Sequence, residues 1–346
     1  MTGKISDGFQ FNCLPTAIGS MPHIDPDEAC SVVREYLPDI PAWPQLPRRS
    51  SKESIYAQFS EGFPGIVIDE GKVHVEPSAN FDTGLEQVYI DCEEGNPVKY
   101  SVSAEYAAGL HCLLAKGERR GIVKGQIIGP ITWGLTVTDQ AGMAVLYDET
   151  LIEVMAKFLR LKAAWQENAL RKISPNTIIF VDEPYLVSLG SAFVSIPGDK
   201  VTTLLEEVFQ GIEGLKGVHC CGYTDWALLL NSTADILSFD AYNYASSLSA
   251  YTEEVKAFLE RKGTIAWGIV PNDEESLAKE SVSSLSDRLG EAIAPFTRNG
   301  ISFRQILSQA LLTPSCGLAG LSPEAACKAL ELVADLSNGI RKKYTV

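Results

Sequence analysis

Along this chain, short runs rich in β-branched residues alternate with longer stretches of helical period, and each run stops at or beside Gly, Pro, Asp or Cys. Parallel strands cannot be joined by a two-residue turn. They need a crossover, usually a helix, so the alternation restricts the chain to βα units. The runs are Leu14–Gly19, Ala42–Leu46, Gly121–Ile128, Thr177–Val181, Gly217–Cys221, Ile236–Phe239, Thr264–Val270 and Gln309–Thr313. Eight such units predict an α/β fold of the closed (β/α)8 TIM-barrel kind, which commonly takes about 250 residues or more as one unit. The 346 residues are therefore read as a single barrel domain, 1–346, with no repeat or linker to divide it. Residues 63–100 break the rhythm: polar-apolar alternation over Gly65–Asp69 and Lys72–Glu76, around Glu70-Gly71, predicts a β-hairpin insertion followed by a loop.

The intervening helices carry their own punctuation. Asp25-Pro26-Asp27-Glu28 and Ser322-Pro323-Glu324 each set a capping side chain before a proline suited to the first helical turn. Val201, Leu204, Leu205, Val208 and Phe209 recur at helical spacing, as on a helix laid against a barrel. They are read as core.

The charge balance narrows the function classes. With 29 basic and 44 acidic residues the net charge is −15, the wrong sign for a nucleic-acid or anionic-membrane surface. No run of eighteen apolar residues and no leader at Met1 are seen, so a soluble protein is expected. Eight cysteines without repeated close spacing, in a chain too long to need disulfide staples, suit a reducing cytoplasm.

In a βα barrel the loops after the strands form the catalytic face, so strand-end residues converge even when far apart in sequence. The sharpest such feature is His219-Cys220-Cys221, at the end of the fifth run. Strand alternation puts His219 and Cys221 on one face and Cys220 on the other. Cys316 lies just past the eighth run, and Asp240 just past the sixth. Imidazole, two thiolates and a carboxylate are ligand types that suit Zn²⁺. Taken singly, each is ordinary, since cysteines are commonly buried and a lone histidine is usually just hydrogen-bonded. Cys13, Cys30, Cys92, Cys112 and Cys327 have no such company and are read as packing thiols, while Trp133 and Trp226 are candidates for a site wall.

These pieces resemble the catalytic C-terminal barrel of cobalamin-independent methionine synthase, within the superfamily of uroporphyrinogen-decarboxylase-like barrels. The resemblance runs from Thr16-Ala17-Ile18-Gly19-Ser20-Met21-Pro22, through Gly129-Pro130-Ile131-Thr132 and Asp182-Glu183-Pro184, to His219-x-Cys221 and Cys316-Gly317-Leu318. It implies zinc held by His219, Cys221, Cys316 and, in the place of the family's glutamate, Asp240. It also implies an acceptor ammonium on Asp182 and an acceptor carboxylate on the backbone of Ile18 and Ser20. Two departures stand out. The family's histidine after the seventh strand, the proton donor to the folate, is replaced by Gly268-Ile269-Val270-Pro271-Asn272-Asp273, and the carboxylate after the second strand by Pro44-Gln45-Leu46-Pro47-Arg48-Arg49.

The expected activity is zinc-dependent methyl transfer to a small thiol, homocysteine above others, giving methionine. Removing a methyl from a tertiary amine such as methyltetrahydrofolate needs an acid, whereas a methylated corrinoid leaves as cobalt(I) without one. The missing histidine therefore favours a methylcobamide donor presented by a corrinoid partner protein, with Asp273 as the acid if folate is used after all. Competing expectations are a coenzyme M-type thiol acceptor, a uroporphyrinogen-decarboxylase-like reaction that leaves the His-Cys set idle, and a purely structural zinc with four protein ligands.

Overall fold

A computed structural model describes residues 9–69, 71–117, 121–190 and 194–345. Its strands are β1 (Leu14–Pro15), β2 (Ile66–Asp69), β3 (Lys72–Val75), β4 (Ile122–Ile128), β5 (Asn176–Asp182), β6 (Leu215–Cys220), β7 (Ile236–Phe239), β8 (Thr264–Val270) and β9 (Ala310–Pro314). Seven of them form one parallel sheet in the order β1-β9-β8-β7-β6-β5-β4, and β2 and β3 form the antiparallel hairpin. The sheet curls around an apolar floor that includes Phe11, Ile40, Ile122, Ile178, Ile236 and Leu311. Gly217 makes room for the Phe180 ring in this layer, because a Cβ there would stand 2.1 Å from its Cδ1.

The second expected run, Ala42–Leu46, does not form a strand. It bridges the sheet's two edges through single pairings, Ala42 with Lys124 and Gln45 with Ser20. Pro41, Pro44 and Pro47 are the reason: a proline has no N–H to give to a ladder. Backbone bonds survive where the prolines allow, from Lys124 N to Pro41 O (2.9 Å), Gln45 N to Gly19 O (3.0 Å) and Met21 N to Gln45 O (2.8 Å). Side chains replace the rest. Gln126 Nε2 donates to Trp43 O at 3.0 Å, and Trp43 Nε1 to Gln166 Oε1 at 2.9 Å.

Helices cover the sheet as their periodicity requires. Asp25 caps Pro26–Tyr36 by accepting from Asp27 N and Glu28 N, and Ser322 caps Pro323–Tyr344 by accepting from Ala325 N. In the helix Gly198–Phe209 the five expected core residues, Val201, Leu204, Leu205, Val208 and Phe209, are the buried ones. The hairpin pairs Ile66 with Val75 and Asp69 with Lys72; Glu70, expected at its tip, lies outside the described residues. Beyond the hairpin the chain forms the helix Phe81–Glu93, with Leu85, Val88 and Cys92 buried, in place of the expected loop. The spacing of Phe81, Leu85, Val88 and Cys92 is helical, and Gly84 in the middle allows close approach, since a Cβ there would stand 3.0 Å from Pro64. Among the described residues no helix is long and apolar enough to cross a membrane.

Candidate metal and substrate site

At the C-terminal ends of the strands, side chains from β1, β5, β6 and β9 converge on a cavity of about 310 Å³. His219 is the penultimate residue of β6, Cys221 follows its end, and Cys316 lies two residues past β9. Their ligand atoms all lie within 4.8 Å of one another. Strand alternation does what it promised: Cys220 points the other way into the apolar core, its thiol 3.8 Å from Gly222 O and pushed up to about 12 by burial.

The ring of His219 is already set for a ligand. Its Nδ1 lies 2.9 Å from Ser238 Oγ, and its buried Nε2 has no hydrogen-bond partner. With Nδ1–H donating to the serine, the Nε2 lone pair is free. A hydrogen bond from Cys316 and the neighbouring imidazole hold Cys221 far below the ordinary thiol range, at about 4, while the same bond and burial push Cys316 well above it. The loop that carries Cys316 is braced from both sides by Asn272, which accepts from Ser315 Oγ (2.9 Å) and donates to Gly317 O (3.4 Å).

Two expected residues are used otherwise. Asp240 is not in the cluster: it caps the helix Ala241–Ser249, its Oδ1 accepting from Asn243 N (2.9 Å) and its Oδ2 from Asn243 Nδ2 (2.7 Å). Asp273 does not line the cavity either. It caps Glu274–Leu277 by accepting from Ser276 N at 2.8 Å, and that bond holds its carboxyl below the ordinary range. An Asp one residue before a helix is the usual N-cap, and both aspartates take that role.

Asp182, Ile18 and Ser20 do line the cavity. Asp182 ends β5, is buried, and has an Oδ1 without a partner; burial pushes its carboxyl up to about 6 against the pull of Lys124 and His219. Glu183, beside it, has a different task. Its carboxylate accepts from Ile131 N, Thr132 N and Thr132 Oγ1 at 2.7–2.8 Å, closing the start of the helix Pro130–Thr136. Ser20 is not the cap of the next helix, because Asp25 is. Trp133 and Trp226 are buried in packing, with their indole N–H groups on Ser60 and Ser247.

Three residues of this region were not singled out by the sequence. Glu53, fully buried in the cavity wall, is paired with Arg49 at 2.6 Å and receives Leu46 N at 3.3 Å. Lys124 lies beneath the site and Asn272 behind Cys316. The signal available for Glu53 was a carboxylate a few residues past the second run, offset from the place the resemblance pointed to.

Neither a protein-family model nor a curated protein matches the sequence. Solved structures do. A B12-independent methionine synthase from Shewanella sp. W3-18-1, solved with selenomethionine, superposes with a TM-score of 0.60 at 14% identity over 96% of this chain and 98% of that one. A putative vitamin-B12-independent methionine synthase from Listeria monocytogenes superposes at TM-score 0.56 and 16% identity, covering 91% of this chain and 85% of its own. A methyltransferase from Methanosarcina mazei gives TM-score 0.56 at 13% identity, covering 93% and 94%. The chain has the fold of these methyltransferases. The expected resemblance is thus met at the level of architecture, with a curled seven-stranded parallel sheet where eight full strands were expected.

Proposed function

We propose that the chain is a zinc-dependent methyltransferase that passes a methyl group to a small aminothiol, homocysteine first among them, to give methionine. One observation carries the reading: three soft ligands from two strand ends meet at a cavity whose wall also holds the unpartnered carboxylate oxygen of Asp182. His219, Cys221 and Cys316 are the residues that would hold zinc, and the orphaned Nε2 of His219 and two thiols within 4.8 Å of it and of each other fit such an ion. Bound zinc would supply deprotonation of the acceptor thiol while leaving its sulfur nucleophilic. Three protein ligands, with Asp240 engaged in capping, favour an open catalytic position over a closed structural site.

The chain's own groups do the rest. Ser238 holds the imidazole at Nδ1, and Asn272 braces the Cys316 loop. Asp182 would take the acceptor's ammonium and the Ile18–Ser20 backbone its carboxylate, while Glu53, paired with Arg49, completes the same wall. Among the described lining residues there is no lysine or arginine, so the sulfonate of a coenzyme M-type thiol finds no cation there. That favours an aminothiol. A decarboxylase reading would leave the ligand cluster without a task.

The choice of donor rests on the leaving group. Asp273 is outside the cavity, and Glu53 is engaged with Arg49 and a backbone N–H, so neither stands as a free acid over the site. A methylcobamide, whose cobalt(I) leaves unprotonated, fits this arrangement better than methyltetrahydrofolate. The methionine synthases named above are described as B12-independent, so support for a corrinoid partner comes from the leaving-group argument alone. The test is methyl transfer to homocysteine by the zinc-loaded protein with each donor in turn. Turnover with methylcobamide supports the whole reading, turnover with methyltetrahydrofolate alone keeps the acceptor and corrects the donor, and none with either defeats it.

A further inference from the structure

The interior of the curled sheet holds a lysine that the site described above does not use. Lys124, in the middle of β4, is fully buried. A buried ammonium is costly unless it is paired and hydrogen-bonded. Its Nζ donates to Ile18 O at 2.6 Å and to Gln126 Oε1 at 3.3 Å, and stands 4.2 Å from the centre of the Phe180 ring. The compensating negative charge is Asp182.

The bond to Ile18 O fixes more than the lysine. Every described peptide is trans. Across a planar trans peptide the C=O of one residue and the N–H of the next point in opposite directions. With the Ile18 carbonyl turned down to Lys124, the Gly19 N–H is turned the other way, toward the cavity that Ile18 and Ser20 line. Among the described residues no group accepts a hydrogen bond from it. The peptide is closely confined. Gly19 has φ +149°, a Cβ there would stand 2.6 Å from Cδ of Gln126, and its own carbonyl is held by Gln45 N at 3.0 Å.

We infer that Lys124 is a positioning residue of the acceptor site, orienting the Ile18–Gly19 peptide from beneath so that the Gly19 N–H is a fixed donor for the acceptor's carboxylate. The inference rests on the proposed aminothiol acceptor. Lys124 then serves the carboxylate end of that molecule, as Asp182 serves the ammonium end.

The experiment is calorimetric binding of two thiols to the zinc-loaded protein: homocysteine, and 3-aminopropane-1-thiol, which lacks only the carboxylate. Lys124→Met should weaken homocysteine binding about tenfold or more, the range for losing a hydrogen bond to a charged group. It should leave the zinc content unchanged and weaken 3-aminopropane-1-thiol far less, since that thiol shares only the Asp182 end. Equal weakening of both thiols would make the lysine a general packing element and overturn the inference, as would no change in either. Should Lys124→Met fail to fold, Lys124→Arg carries the test. It keeps the charge but pushes the Ile18 carbonyl outward, and the loss must again fall chiefly on homocysteine. A wild-type protein that binds neither thiol overturns the proposed acceptor itself, a result distinct from failed selectivity in the variant.

Discussion

Replacing the two adjacent cysteines one at a time separates ligand from packing. Cys221 belongs to the cluster within 4.8 Å, whereas Cys220 faces the apolar core with its thiol held neutral by burial. Protein sites with four ligands bind zinc by roughly 10–16 kcal/mol near neutral pH, so one ligand carries about 3 kcal/mol. That is about a hundredfold in affinity. Cys221→Ser should therefore weaken zinc binding about a hundredfold, and Cys316→Ser likewise. Cys220→Ser should leave zinc affinity unchanged and cost stability, about 1–3 kcal/mol for a hydroxyl put among apolar neighbours. Competition against a chromophoric chelator gives the affinities, and denaturant unfolding gives the stabilities. Equal loss of zinc in Cys220→Ser and Cys221→Ser would refute the assignment of faces.

Four other substitutions probe separate parts of the account. Burial holds the Asp182 carboxyl up to about 6, so below that value homocysteine binding should fall more steeply with pH than loss of the thiol proton alone requires, and Asp182→Asn should bind weakly and lack that extra step; an Asp182→Asn variant that keeps the extra step would contradict this. Glu183→Ala strands the buried donors of Ile131 and Thr132 and should cost about 3 kcal/mol or more in denaturant unfolding. A loss below about 1 kcal/mol would mean that the helix start finds other acceptors. Gly217→Ala drives a methyl into Phe180 and should cost about 1–3 kcal/mol, measured by the same unfolding, unless the ring shifts freely. Asp273→Asn should leave methyl transfer from methylcobamide unchanged, because the aspartate caps an exposed helix; a drop in rate would return it to the reaction.

The legible part of the fold was what periodicity controls. Six runs became strands of four residues or more, Leu14–Gly19 with Pro15 in it kept only the two residues of β1, and the two helix starts were marked by caps that the structure uses as such. Ala42–Leu46 reads as a strand by its apolar residues, and the three prolines around it decide otherwise through missing donors. The helix Phe81–Glu93 was hidden behind the hairpin's alternation, with a glycine at its centre that lowers helical propensity but permits packing. At the site, strand alternation alone separated Cys221 from Cys220. Asp240 and Asp273 show the limit of that reasoning. A strand-end aspartate that precedes a helix is equally a ligand and a cap on paper, and only the direction of its carboxylate tells which. Lys124 was concealed for the opposite reason: inside an apolar run a single lysine reads as the solvent side of a strand, whereas this one is buried inside the curled sheet.

The central claim is that this cavity holds a zinc ion ready to take a thiol. Zinc-edge X-ray absorption on the loaded protein, without and with homocysteine, tests it most directly. The account predicts two sulfur scatterers and a histidine at rest, from Cys221, Cys316 and His219, and one additional sulfur when homocysteine is present. A coordination shell that does not change with homocysteine, or one unaffected by Cys316→Ser, would contradict it.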